Sequence, residues 1–132
     1  MARILVMEDD IAFGELLRAS LEEAGHSVVL RFDGASAQSY FEKHGADVVL
    51  TDIIIKQDQK SIPDGGLLLI SRIRGMSSES ARSVPIIAMS GATSYPGMQG
   101  ALTTAEALGA TVSINKPFSP DELTDLIDDL LP

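Results

Sequence analysis

Four places in the chain carry side chains that could do chemistry together. Glu8-Asp9 follow the apolar run Ile4-Leu5-Val6-Met7, and Asp52 ends the run Asp47-Val48-Val49-Leu50-Thr51. Ser90 follows Val84-Pro85-Ile86-Ile87-Ala88-Met89, and Lys116 lies just beyond Thr111-Val112-Ser113-Ile114. The run into Asp52 is short and unbroken by Gly or Pro, as expected of a strand buried on both faces of a parallel sheet, and the other runs are strand candidates beside it. The carboxyl ends of such strands share one edge, where open α/β sheets bind their ligands. Carboxylates gathered there repel one another and resist joint ionisation. A hard divalent cation such as Mg2+, which takes oxygen ligands and keeps several waters, resolves that conflict. A lysine adds a compensating point charge and a strong donor for a phosphoryl oxygen, and a serine hydroxyl is a further donor.

The elements needed to position these groups can be read in order. Phe13, Leu17, Leu21 and Ala24 recur at helical spacing behind a candidate N-cap, Asp10, and Gly25 stops that helix. Ser27–Arg31 is a second strand, and Asp33 caps a helix carrying Ala37, Tyr40 and Phe41 that closes at Gly45. Beyond Asp52, Ile53-Ile54-Ile55 gives way to a polar loop, Lys56–Ser61, before Pro63-Asp64-Gly65-Gly66 and a helix with Leu67, Leu69, Ile70 and Ile73. A Ser-rich link leads to strand four. A stretch rich in small residues, with Gly97 and Gly100, reaches a weak fourth helix ending near Leu108-Gly109. The last helix opens on a capping box, Ser119 with Glu122, and has Pro120 in its first position. Its Leu123, Leu126, Ile127 and Leu130 form a core stripe, with Asp121, Asp125, Asp128 and Asp129 toward solvent. Five strands alternating with five helices predict a parallel sheet covered by helices on both faces.

Composition narrows the function classes. A formal net charge of −9 argues against a general nucleic-acid or anionic-membrane binder. Without cysteine there is no disulfide, thiolate metal site or cysteine nucleophile. The apolar start meets acid at Glu8, too soon for a signal peptide or membrane span. The expectation is one domain over 1–132, soluble and cytoplasmic, contacting neither nucleic acid nor membrane.

The acidic pair Glu8-Asp9, the strand-borne Asp52, the Ser90-Gly91-Ala92 turn and Lys116-Pro117-Phe118, in that order on alternating elements, resemble a response-regulator receiver domain of two-component signalling. The resemblance covers residues 2–131. It implies a three-layer α/β/α fold with strand order 2-1-3-4-5 and a cis Lys116-Pro117 bond. Because the chain ends with its last helix, the expectation is that no output domain is attached. The resemblance further implies Asp52 as phosphoacceptor, with Lys116 and Ser90 acting on the phosphoryl group. Mg2+ would be held by Asp9, Asp52 and the Ile54 backbone carbonyl, with Glu8 acting through water. Implied partners are a sensor histidine kinase or histidine phosphotransfer protein, a downstream effector protein, and a second copy through the face of the fourth helix, fifth strand and fifth helix. Such a protein is no enzyme beyond its own phosphorylation and dephosphorylation.

Several positions depart from the family pattern. The loop after Asp52 is long and lacks the usual proline, and Ser113 stands where an aromatic switch residue is common. Ile54 and Ala92 offer no polar side chain to orient a hydrolytic water, which predicts slow self-dephosphorylation. The competing reading is a receiver-like interaction module working through fixed contacts without phosphorylation. A phosphatase of the haloacid-dehalogenase type would want a second Asp where Ile54 stands, and no P-loop motif is present. Taken singly the residues have plainer readings: Asp10 as a helix cap, Lys116 as a surface lysine, Ser90 as turn chemistry, His26 and His44 as helix-end residues without a site role.

Overall fold

The structure is a computed structural model that describes residues 2–53, 55–57, 60–62, 64–90 and 101–131, with 55–57, 60–62, 64–65 and 101–102 as backbone. The parallel strands are β1 (Arg3–Met7), β2 (Ser27–Arg31) and β3 (Val48–Asp52), then, past a hairpin of β4 (Ile55–Gln57) and β5 (Lys60–Ile62), β6 (Ile86–Ser90) and β7 (Val112–Asn115). The helices are α1 (Ile11–Glu23), α2 (Gly34–His44), α3 (Asp64–Arg74), α4 (Glu79–Ser83), α5 (Ala101–Leu108) and α6 (Pro120–Leu130). The five-stranded sheet runs β2-β1-β3-β6-β7 with every pair parallel, which is the expected order 2-1-3-4-5.

Strand alternation divides the core into two layers. Leu5, Met7, Val49, Ile53, Ile86 and Ala88 pack with Phe41 of α2, Ile70 and Ile73 of α3, Ala81 of α4 and Ala105 of α5. Ile4, Val6, Val48, Leu50, Ile87 and Met89 pack with Leu17 and Leu21 of α1 and Leu123 and Ile127 of α6. β3 is buried along its whole length, Asp52 included, as its unbroken apolar run predicts. Parity then decides where the acid goes: Glu8 continues the Ile4-Val6 row and Asp52 continues the Val48-Leu50 row. Both therefore fall on the sheet face shared with α1 and α6.

Local chemistry sets the helix starts. Asp10 and Asp33 accept from the Phe13 and Ser36 backbone N–H groups at 3.1 and 2.7 Å, replacing partners that a helix's first turn lacks. The capping box at Ser119 and Glu122 is formed in both directions. The aspartates of α6 lie outward.

Three features differ from the sequence reading. The polar loop after Asp52 contains an antiparallel hairpin with Ile55 opposite Ile62. Its central residues are all polar, so no apolar alternation announced it. A sixth helix, the short α4, interrupts the Ser-rich link, where the Ser78 side chain caps it by accepting from the Ala81 N–H at 3.2 Å. Ser90 lies within β6 rather than beyond it. Gly91, Ala92, Gly97, Gly100 and Ile54 lie outside the described residues. Among the described residues no helix is long and apolar enough to cross a membrane.

Candidate functional site

The site begins where the parallel ladder runs out. Past the strand ends, Glu8 N–H donates to the Arg31 carbonyl at 3.0 Å, Ile53 N–H to Met89 at 3.1 Å and Lys116 N–H to Ser90 at 2.9 Å. These bonds extend sheet geometry one residue outward, so the side chains at the edge sit on fixed backbone rather than on free loops. Asp52 is in register with Met89, and Ser90 with Asn115 immediately before Lys116.

The sheet thereby joins residues far apart in the chain. The Lys116 ammonium donates to Glu8 Oε1 at 2.7 Å and to Asp52 Oδ2 at 3.1 Å. Glu8 and Ser90 are fully buried and Asp52 nearly so, whereas the Lys116 side chain keeps 22% of its surface exposed. Lys116-Pro117 is cis. Burying such charges is tolerable only because they are paired: loss of one partner strands the other, a change that costs about 3–5 kcal/mol.

The electrostatics are lopsided. Burial, followed by the hydrogen bond and charge of Asp52, pushes the Glu8 carboxyl up to about 8, against the opposing pull of Lys116. For Lys116, burial acts to lower the pKa, but Asp52 and Glu8 together outweigh it and hold the ammonium above the ordinary lysine value. The site thus keeps a charged lysine beside a carboxyl pair that resists full ionisation.

Glu8 Oε2 is buried with no hydrogen-bond partner among the described residues, a costly state for a carboxyl oxygen. Glu8, Asp9 and Asp52 each offer one oxygen, and the three lie within 4.8 Å of one another. Oxygens on a single Mg2+ at about 2.0–2.1 Å lie no more than roughly 4.2 Å apart. The trio therefore suits a hard cation after a small adjustment or with one intervening water. The donor set, all oxygen and acidic, fits that ion chemically. Of the expected metal-site residues, the structure brings Glu8, Asp9 and Asp52 together, and the Ile54 carbonyl lies outside the described residues.

Two residues near the site escaped the sequence reading. Phe13 was legible only as a core position, yet its ring centroid lies 4.7 Å from Lys116 Nζ. Gly66, in the first turn of α3, packs directly on the strand end. A Cβ there would run into the Asp52 carbonyl oxygen and come within 2.6 Å of Ile53 Cα. The signal was present in the pair Gly65-Gly66, an expensive choice in a helix that needs a steric reason. Ser113 on β7 donates to Glu106 Oε1 of α5 at 3.2 Å, so the residue in the aromatic position is a tether between those elements.

Comparison with known proteins gives a consistent result. The family model described as "Response regulator receiver domain" matches residues 4–128. The chain is 34% identical over 122 residues to the transcriptional regulatory protein DltR of Streptococcus agalactiae, covering 92% of this chain and 48% of that protein. It is 31% identical over 129 residues to RprY of Bacteroides fragilis, covering 98% and 49%. The chain thus spans about half the length of these relatives. Among solved structures, the chemotaxis response regulator CheY4 of Vibrio cholerae superposes with a TM-score of 0.79 at 26% identity, covering 99% of both chains. The receiver domain of NtrX from Brucella abortus gives 0.79 at 26%, covering 97% of each.

Proposed function

The chain belongs to the response regulator receiver family, and from that premise we propose that it stores a signal as a phosphoryl group on Asp52. A carboxylate oxygen of Asp52 attacks phosphorus of a phosphohistidine on a kinase or phosphotransfer protein. The P–N bond breaks, the histidine nitrogen takes up a proton, and an acyl phosphate remains. The observation that carries this reading is the Lys116 ammonium, bonded at once to Asp52 and to Glu8 across the sheet edge. It is a fixed positive charge beside the carboxylate that would be phosphorylated. In phosphoryl transfer positioning and charge stabilisation are most of what a protein supplies.

Asp9 and Asp52 would hold Mg2+ directly and Glu8 through water, with the Ile54 carbonyl completing the protein's share; the bound ion would neutralise charge on the transferring group. On transfer Lys116 exchanges its bond to Asp52 for one to a phosphoryl oxygen. Ser90, on the strand beside β3, donates its hydroxyl to another. The altered edge is read by a downstream effector or a second copy at α5, β7 and α6. Here Ser113 and Glu106 stand in place of an aromatic relay.

The test is intact mass after incubation with acetyl phosphate and Mg2+, beside an Asp52→Asn control and a chelated sample. One added phosphoryl group, absent from both controls, supports the proposal. No gain, together with no binding of beryllofluoride, would refute it and favour a module acting through fixed contacts.

A further inference from the structure

Lys116 has a third neighbour that neither charge pairing nor the backbone ladder explains. The Phe13 ring of α1 lies with its centroid 4.7 Å from Nζ, within the range in which an ammonium is attracted by the negative face of an aromatic ring. The residue is itself held at two points, ring and backbone. Phe118, two residues past Lys116, meets it in an edge-on contact with centroids 5.9 Å apart and planes at 67°. The Phe13 backbone N–H is fixed by the Asp10 cap at 3.1 Å. A run of contacts therefore leads from the start of α1 through one ring to the lysine tip.

We propose that Phe13 is a positioning residue for Lys116, its ring face holding the ammonium at the sheet edge while the lysine changes partners during phosphoryl transfer. Lysine's four-carbon stem is flexible and its head strongly hydrated, and part of its surface is open to water. Once Asp52 carries a phosphoryl group, the Asp52 carboxylate no longer holds the ammonium as it did. The Phe13 ring is a partner that phosphorylation leaves unchanged. A methionine or leucine would fill the same space without a π face, so the role belongs to the aromatic character and not to volume. This inference rests on the phosphoacceptor reading of the same site.

The test compares Phe13→Leu and Phe13→Tyr with the parent protein by two measurements. The first is the rate of phosphorylation by acetyl phosphate with Mg2+. The second is the NMR signal of the Lys116 ε-methylene protons, which a nearby ring face shifts upfield whether or not the protein is phosphorylated. A cation–π contact of about 0.5–2 kcal/mol corresponds to a change of roughly 2- to 30-fold. Expected are a slowing within that range for Phe13→Leu, near-parental rates for Phe13→Tyr, and an upfield shift lost only in Phe13→Leu. Equal rates in all three proteins, or equal slowing in both variants, would overturn the proposal. If the parent takes no phosphoryl group, the phosphoacceptor reading has failed, and the lysine signals decide alone: an upfield shift lost only in Phe13→Leu supports the positioning contact, and unchanged signals overturn it. Should Phe13→Leu not fold, slowing and a lost shift in Phe13→Met stand in its place, and a parental rate there overturns the proposal.

Discussion

Glu8 offers the sharpest test of the site's electrostatics. Its carboxyl is pushed from an ordinary value of 4.5 up to about 8, chiefly by burial, so the folded chain binds that proton more tightly than the unfolded chain does. The stability this confers is complete below about pH 4.5 and drains away as pH rises through about 8. One proton of difference costs about 1.4 kcal/mol per pH unit. A window of about 3.5 units therefore sets a ceiling near 5 kcal/mol on the total loss, and rearrangement around the half-open Lys116 lowers the working figure to about 2–5 kcal/mol. Lys116 stays charged across this window, since its own shift is upward, so it adds no slope there. Replacing the titrating group by a neutral isostere, Glu8→Gln, should remove the slope. Urea unfolding of both proteins at half-unit steps from pH 5 to 9, with chelator present, yields the difference in stability at each pH. That difference should fall steadily between about pH 5 and 7.5 in the direction that weakens the parent, and flatten above about 8. Curves parallel to within about 0.5 kcal/mol would refute the placement of the proton on Glu8.

Other perturbations probe the frame around the site. Gly66→Ala should destabilise the chain by about 3 kcal/mol or more, because the new methyl meets backbone atoms of Asp52 and Ile53 that cannot swing aside as a side chain would; an unchanged denaturation midpoint would contradict the packing described. Arg74, whose guanidinium donates to the Gly109 and Ala81 carbonyls at 2.9 and 3.0 Å and reaches Thr111 Oγ1 at 3.4 Å, ties α3 to α4 and to the turn before β7. Arg74→Met should cost about 2–3 kcal/mol in urea unfolding, and Arg74→Lys should recover little of it, since an ammonium cannot span three separated acceptors. If position 54 and position 92 govern water access to the acyl phosphate, the double change Ile54→Asn and Ala92→Glu should hasten loss of phosphate from the purified phosphoprotein, measured by mass over time; unaltered decay would remove that explanation.

Local sequence determined more of this protein than its low identity to known receivers suggests. Apolar runs of strand length, Asp10 and Asp33 as caps, and the Ser119–Glu122 box are short-range signals, and each appears in the structure because it depends only on residues a few positions away. The same holds for the address of the site, since every candidate residue stands just past or at the end of a strand and parallel topology brings those ends to one edge. Short-range signals do not reach the rest. The Lys56–Ser61 stretch and the Ser-rich link carry no apolar period, so a hairpin and a one-turn helix there went unread. Which glycine meets the strand end, which ring lies beside the lysine, and how strongly Glu8 holds its proton all depend on groups beyond the reach of local signals, from Gly66 on Asp52 and Ile53 to Phe13 and Glu8 on Lys116 at the other end of the chain. Those relations exist only once register and burial have been set together. Composition and periodicity supply the carboxylates and the lysine, but only the dry, shared edge of the folded sheet makes them act on one another.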